Sequence, residues 1–221
     1  MTMPSAAQAF APDADGYIIL HGAIPYAWIA HLQSSFDANV RSADAWPVPR
    51  GPDLRHAMVE NDPVVQRACR LPVLLAAAFR LLRQPFFLAQ VEGREPLAGG
   101  GAQLLHRDGG GHARGHIVSA LAFLDDYGPA NGATQLVPGT HRSDDPSDVV
   151  AHPLAVTLSG EAGDILVFDA QLLHGGTQNG SGERRRSLLI SYFAEPLRAD
   201  HIATTGLRGV RMPPSETFGA P

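Results

Sequence analysis

The sequence predicts a mostly β fold with flanking helices, arranged as a double-stranded β-helix, or jelly roll. From residue 86 to 198, short runs of Val, Ile, Leu and Phe alternate with turns rich in Gly, Asn, Asp and Pro, which is typical of a sandwich or barrel. Residues 1–85 have mainly helical spacing after one strand. At 221 residues and 44% hydrophobic content, the chain fits a single domain with a sizeable core.

The N-terminal elements follow from local signals. Gly16–Leu20 is a short apolar run after a glycine, so it predicts a strand. Residues 25–40 place apolar side chains at helical spacing. Asp62-Pro63 is typical of a helix start, and the helix is expected to reach Leu82 with a break at Leu71-Pro72.

The second part of the chain is expected to form the jelly-roll core at residues 86–198, followed by a partly ordered tail at residues 199–221. The predicted strands are Phe86–Glu92, Ala102–His106, His116–Leu124, Thr134–Val137, Leu154–Leu158, Asp164–Phe168, Gln171–His174 and Arg185–Ala194.

Composition narrows the functional classes. The net charge of -5 disfavours a nucleic-acid partner. The chain has no lysine, which excludes lysine Schiff-base chemistry and the phosphate-binding P-loop. One cysteine, Cys69, is compatible with a reducing compartment. Residues 1–15 lack the features of a signal peptide, and no apolar run is long enough for a membrane span, so a cytoplasmic location is expected.

The most informative motif is His106-Arg107-Asp108, together with the distant His174. Side chains alternate along a strand, so His106 and Asp108 should point to one side and Arg107 to the other. Two imidazoles and one carboxylate form a facial triad with open metal positions, which suits Fe(II). A His-x-acid pair alone is weak, but both segments end an apolar run and precede glycines, where a scaffold presents functional groups.

Four blocks occur in order: 104–108, 124–142, 163–175 and 179–192, the second carrying Asn131-Gly132 and Pro138-Gly139-Thr140-His141. This ordered set resembles the phytanoyl-CoA dioxygenase (PhyH) family of Fe(II)/2-oxoglutarate-dependent oxygenases.

The resemblance implies that His106, Asp108 and His174 bind Fe(II) and form the catalytic centre. It also implies that the enzyme consumes 2-oxoglutarate and O2, hydroxylates an unactivated C–H bond of a small-molecule substrate, and releases succinate and CO2. Family halogenases lack the carboxylate ligand, so the presence of Asp108 predicts hydroxylation or a related oxidation. The identity of the substrate and the oligomeric state are left open.

The resemblance also implies an arginine that binds the distal carboxylate of 2-oxoglutarate. Arg185 lies eleven residues after His174, where the family places this arginine; Arg186 would take the role if the loop carried one extra residue. Gln90 matches a position near the cosubstrate, although an ordinary exposed strand glutamine explains it equally well. Gly176 stands where some relatives carry a serine that touches the cosubstrate, and Thr177 is the nearest replacement.

Two alternatives use the same residues. A zinc-dependent hydrolase can have two histidines and a carboxylate as ligands, although no HExxH helix is present. The second alternative is a non-catalytic cupin-like protein that binds a metal or ligand. A protein-kinase reading of His106-Arg107-Asp108 is excluded because the chain has neither a lysine nor an Asp-Phe-Gly motif.

Overall fold

The computed structural model describes residues 12–46, 48, 50–144 and 147–220. Its helices are α1 (Pro12–Asp15), α2 (Tyr26–Ala38), α3 (Pro63–Ala68), α4 (Pro72–Leu82) and α5 (Arg198–Arg208), with short 3-10 turns at Ala43–Ala45, Thr140–Arg142 and Glu195–Leu197. Its strands are β1 (Tyr17–Leu20), β2 (Val40–Arg41), β3 (Leu54–Ala57), β4 (Phe86–Pro96), β5 (Ile117–Phe123), β6 (Thr134–Leu136), β7 (Val156–Thr157), β8 (Ile165–Asp169), β9 (His174–Gly176) and β10 (Ser187–Ala194).

The strands form two antiparallel sheets. The larger has the order β1-β8-β5-β10-β4-β3-β2, and the smaller has the order β7-β6-β9. Because strands that are far apart in sequence lie side by side, the two sheets form the predicted jelly roll. The fold class is therefore confirmed.

The pleat of β5 shows where the core lies. Val118, Ala120 and Ala122 pack in the cluster that includes helices α2 and α4. Leu121 and Phe123 face the other way, into the cluster that joins the two sheets. All are buried, so this central strand has no solvated face. The large sheet thus lies between a helical layer and the small sheet.

The helix signals near residue 62 are also confirmed. The Asp62 carboxylate caps α3 by accepting hydrogen bonds from the backbone N–H groups of Val64 and Val65, at 2.7 and 3.1 Å. Pro63 takes the first helical position, where a missing N–H has no cost. The expected break at Pro72 separates α3 from α4.

The structure differs from the predicted elements in three places. The N-terminal flank contributes β2 and β3 as well as β1, because two short half-buried strands leave little periodicity to detect. Residues 102–106 form only isolated bridges, at Leu105 and His106, instead of a strand. Strand β9 begins at His174, which is the residue where the predicted strand Gln171–His174 was expected to end. The reason is that residues 170–173 form a turn after β8.

The predicted tail is more ordered than expected. It begins with α5, and the backbone of Phe218 then exchanges two hydrogen bonds with that of Phe86 in β4, at 3.0 and 2.7 Å. Apolar residues are sparse in this helix, so its pattern resembled a solvated end. Of the segment judged for a signal peptide, residues 1–11 lie outside the described residues. None of the described helices combines the length and apolar character that crossing a bilayer requires.

Candidate metal and cosubstrate site

The side chains of His106, Asp108 and His174 converge. Each offers one ligand atom, and these atoms all lie within 4.8 Å of one another. The Nε2 atom of His106 is 3.5 Å from Oδ1 of Asp108, and Nε2 of His174 is 3.3 Å from Oδ2. Two nitrogens and a carboxylate at this spacing can hold a divalent cation on one face and leave its other positions open.

Backbone hydrogen bonds bring the two histidines together. The N–H of His106 donates to the carbonyl of His174 at 2.9 Å, and the reverse bond measures 3.1 Å. The N–H of Asp108 donates to the carbonyl of Ala170 at 2.9 Å. Arg107 points away, as alternation predicts, and its guanidinium donates to backbone carbonyls that include Thr140, at 2.7 Å. The loop that carries two candidate ligands is therefore fixed against the strand that carries the third.

The hydrogen bonds of the imidazoles determine which nitrogen faces the site. Nδ1 of His106 lies 2.7 Å from the carbonyl of Leu104, and Nδ1 of His174 lies 2.8 Å from that of Leu172. A carbonyl only accepts, so each Nδ1 carries the proton and each Nε2 keeps its lone pair for a cation.

The electrostatics of Asp108 also suit a cation. Burial by itself raises the pKa of this carboxyl, but hydrogen bonds from His106 and His174 outweigh it, and the pKa lies below its ordinary value. The hydrogen bond to Asp108 raises the pKa of His106 in turn. The carboxylate thus stays charged, as a metal ligand must.

Arg185 lies on the same cavity as the three candidate ligands. It is only 6% exposed, its Nε atom has no partner, and it makes no hydrogen bond or ion pair with any of the described residues. Its guanidinium lies 4.5 Å from the ring centroid of Tyr127. A buried cation without a counter-ion is costly, so this position fits an anionic ligand that completes the pair.

Arg186 faces the opposite side. Its guanidinium forms two hydrogen bonds with Asp125, at 2.9 and 2.7 Å, and one with Asp37 of α2, at 2.9 Å. Ser187 and Leu189 line the cavity with Arg185, as expected for every second residue of a strand. Of the two arginines left open by the sequence, Arg185 is therefore the one that reaches the cavity.

A model of the phytanoyl-CoA dioxygenase (PhyH) family matches residues 13–187. The chain belongs to this family. The PhyH family is one of the Fe(II)- and 2-oxoglutarate-dependent dioxygenase families, so Fe(II) and 2-oxoglutarate are its cofactor and cosubstrate.

The curated relatives match over part of their length. The chain is 33% identical over 114 residues to dioxygenase aneA of Aspergillus aculeatus, covering 46% of this chain and 38% of aneA. It is 29% identical over 177 residues to L-proline trans-4-hydroxylase of Streptomyces griseoviridis, covering 62% of this chain and 65% of that enzyme. The chain thus spans less than two thirds of either relative.

Among solved structures, HygX from Streptomyces hygroscopicus, with nickel and 2-oxoglutarate bound, superposes with a TM-score of 0.70 at 18% identity. The match covers 83% of this chain and 85% of HygX. At this identity the likeness shows the fold.

The PhyH serine position is explained by packing. A Cβ atom on Gly176 would lie 2.5 Å from the backbone oxygen of Gly101, so a serine does not fit there. Thr177 does not replace it, because its hydroxyl donates to the carbonyl of Ala133 at 2.8 Å. The wall of the cavity instead includes Thr134, which the sequence did not single out.

Gln90 lies elsewhere. Its amide donates to Glu92 at 3.2 Å, and it lines a neighbouring cavity that also touches Asp108. It is absent from the residues around Arg185. Its role toward the cosubstrate stays a prediction. The sequence alone does not show the role of Tyr127, because contact with a guanidinium and ordinary packing both use an aromatic residue.

Proposed function

We propose that this protein is an Fe(II)- and 2-oxoglutarate-dependent dioxygenase that hydroxylates an unactivated C–H bond of a small molecule. The observation that carries the proposal is the content of one cavity. Its lining includes two imidazoles and a carboxylate that meet at one point, and a buried guanidinium with no counter-ion among the described residues. A zinc hydrolase has no need for that buried, unpaired cation.

In this proposal, Nε2 of His106, Nε2 of His174 and the Asp108 carboxylate hold the metal. Bound Fe(II) supplies the redox chemistry that couples oxidation of a C–H bond by O2 to decarboxylation of 2-oxoglutarate to succinate and CO2. Arg185 pairs with the distal carboxylate of 2-oxoglutarate and sets its orientation, since a guanidinium can hold a carboxylate through two parallel hydrogen bonds.

The surroundings protect the reaction. Leu121, Phe168 and Leu189 line the same cavity and exclude water from the reacting atoms. Two further cavities, of about 440 and 390 Å³, touch Asp108 from outside and leave room for a small molecule beside the metal. The Streptomyces griseoviridis relative is named as a trans-4-hydroxylase of L-proline, which supports a small-molecule substrate.

The test uses protein purified without oxygen and then given Fe(II), 2-oxoglutarate and air. We expect succinate to form, and Asp108→Ala to lower its rate by more than about 100-fold, because even the loss of a partner of a metal ligand costs 10–100-fold. Asp44→Ala, at an exposed aspartate outside the site, is the matched control. Succinate formation that survives Asp108→Ala would refute the ligand set, and hydrolytic turnover that requires zinc would favour the hydrolase.

A further inference from the structure

Arg208, at the end of α5, borders the candidate site and has no acidic partner among the described residues. Its Nη2 atom donates to Nδ1 and to the carbonyl of His201, at 2.9 and 3.0 Å, and its Nε donates to the hydroxyl of Thr204 at 3.1 Å. No described residue accepts from its Nη1 or forms an ion pair with it. The residue is half-buried, and burial lowers the pKa of its guanidinium.

The position of Arg208 connects this cation to the candidate metal site. It lines the two cavities, of about 440 and 390 Å³, that touch Asp108 outside the cavity that contains Arg185. Ile117 and Phe193 line both cavities as well, so an apolar wall lies between the metal ligand and the guanidinium. A ligand in this space can place an apolar part near the metal and a charged group against α5.

His201 holds the guanidinium in place. It is 2% exposed, and burial, followed by the charge of Arg208, lowers its pKa to about 4. The ring is therefore neutral near pH 7, with Nδ1 accepting from Arg208 and the proton on Nε2. That Nε2–H is buried without a hydrogen-bond partner among the described residues, and His201 also lines the larger cavity. An orphaned donor beside an unpaired cation indicates a site that an acceptor completes.

We propose that the substrate is a small carboxylic acid whose carboxylate pairs with Arg208. The inference rests on the proposed function and deepens it by naming the substrate class. A carboxylate is planar and singly charged, so it matches one guanidinium. A phosphate monoester carries more negative charge and would lie in a cavity whose wall already includes the carboxylates of Asp108 and Asp200. Arg208 lies beyond residue 187, where the family match ends, so the anchor belongs to this chain's own C-terminal segment.

The test screens compounds for increased succinate formation above the rate with 2-oxoglutarate alone. The set contains small carboxylic acids, the primary carboxamide of each, and small phosphate monoesters. We expect the compounds that raise the rate to be carboxylates, and their amides to be inactive. The inference is overturned if the active compounds are neutral or phosphorylated, or if no carboxylate is active. A wild-type protein that forms no succinate from 2-oxoglutarate alone or with any compound contradicts the proposed function itself.

A binding measurement separates the two proposals. Ligand-observed NMR on protein loaded with zinc and 2-oxoglutarate reports binding of the same compounds without turnover. We expect Arg208→Gln to raise the Kd of carboxylates by about 10- to 100-fold, as loss of a charged hydrogen bond does, and to leave the Kd of 2-oxoglutarate unchanged. Arg208→Lys keeps the charge and should restore part of the affinity.

Arg41→Gln is the matched control, because Arg41 is exposed and, in the part of the chain that the structure describes, bonds only to backbone carbonyls. Equal carboxylate binding by wild type and Arg208→Gln would mean that Arg208 only ends α5. Weaker binding of 2-oxoglutarate by Arg208→Gln would mean that the guanidinium serves the cosubstrate instead.

Discussion

At the scale of single residues, the neighbours Arg185 and Arg186 have opposite environments. Arg185 is buried without an acidic partner among the described residues, whereas Arg186 pairs with Asp125 and Asp37. We expect Arg185→Gln to raise the KM for 2-oxoglutarate on the order of 100-fold or more, because a buried pair that loses one partner costs about 3 kcal/mol or more. The KM is measured from steady-state succinate formation at varied 2-oxoglutarate concentrations.

Arg186→Gln is the internal control for that experiment. It removes three charged hydrogen bonds and should lower the free energy of unfolding by about 1–3 kcal/mol, while the KM for 2-oxoglutarate stays unchanged. If Arg186→Gln raised this KM and Arg185→Gln did not, the assignment of the cosubstrate anchor would be incorrect.

Only part of the candidate site could be predicted from the sequence. The spacing in His106-Arg107-Asp108 predicted which side chains share a side, because alternation is a local property of extended backbone. The spacing from His174 favoured Arg185 but left the register open, since that depends on how the loop before β10 turns. Arg208 could not be found from sequence, because nothing local shows that α5 lies beside the candidate ligand Asp108.

At the scale of elements, β9 runs close to the backbone of residues 101–104. A Cβ atom on Gly176 would lie 2.5 Å from the oxygen of Gly101, and one on Gly175 would lie 2.8 Å from that of Leu104. Glycines at these two positions let the strand that carries His174 approach the loop that carries His106. The close approach of two backbones thus has a direct role in assembling the candidate ligands.

We therefore expect Gly176→Ser to damage the site, although it introduces the residue that some PhyH relatives carry. Displacing a backbone oxygen should cost about 1–3 kcal/mol of unfolding free energy, and the affinity for 2-oxoglutarate should not improve. Chemical denaturation and the KM for 2-oxoglutarate measure the two effects. Gly128→Ser is the control, because an added Cβ there meets nothing within 4 Å. Tighter 2-oxoglutarate binding at unchanged stability would contradict this account.

The elements that the sequence predicted well are those with strong local signals. The capped start at Asp62 and the alternating or continuous apolar strands of the large sheet are examples. The elements missed are β2 and β3, which are short, and α5, which has few apolar residues. Their structure depends on contacts distant in sequence, such as the pairing of β3 with β4, which no local pattern encodes.

At the scale of the whole molecule, the fold was predictable because hydrophobic pattern and turn residues agree along most of the chain. The large sheet is buried on both sides, by helices and by the small sheet. Among the histidines that it buries, two that are not candidate metal ligands have a strongly lowered pKa. His56 in β3 is 3% exposed and His201 in α5 is 2% exposed, and burial lowers the pKa of each to about 4.

These two histidines predict a loss of stability in mild acid. An unfolded histidine takes up a proton below about pH 6.5, whereas these two remain neutral in the folded chain until about pH 4. Their contribution to stability is therefore complete above pH 6.5 and is lost as the pH falls toward 4. The slope is at most about 1.4 kcal/mol per pH unit for each histidine.

Replacing His56 measures its contribution to the pH dependence of the free energy of unfolding. Both ring nitrogens of His56 lack hydrogen-bond partners among the described residues, and its ring packs edge-on against Trp46 at 5.8 Å. His56→Phe preserves that packing and removes the titrating group, so its free energy of unfolding should fall less steeply than that of the wild type between about pH 6.5 and 4.5. Urea unfolding at several pH values, with chelator present to remove bound metal, gives both slopes. Parallel slopes would mean that His56 takes up its proton in the folded protein near its ordinary pKa. The difference between the two proteins at pH 7.5 gives the net effect of the substitution on stability when the histidine is neutral.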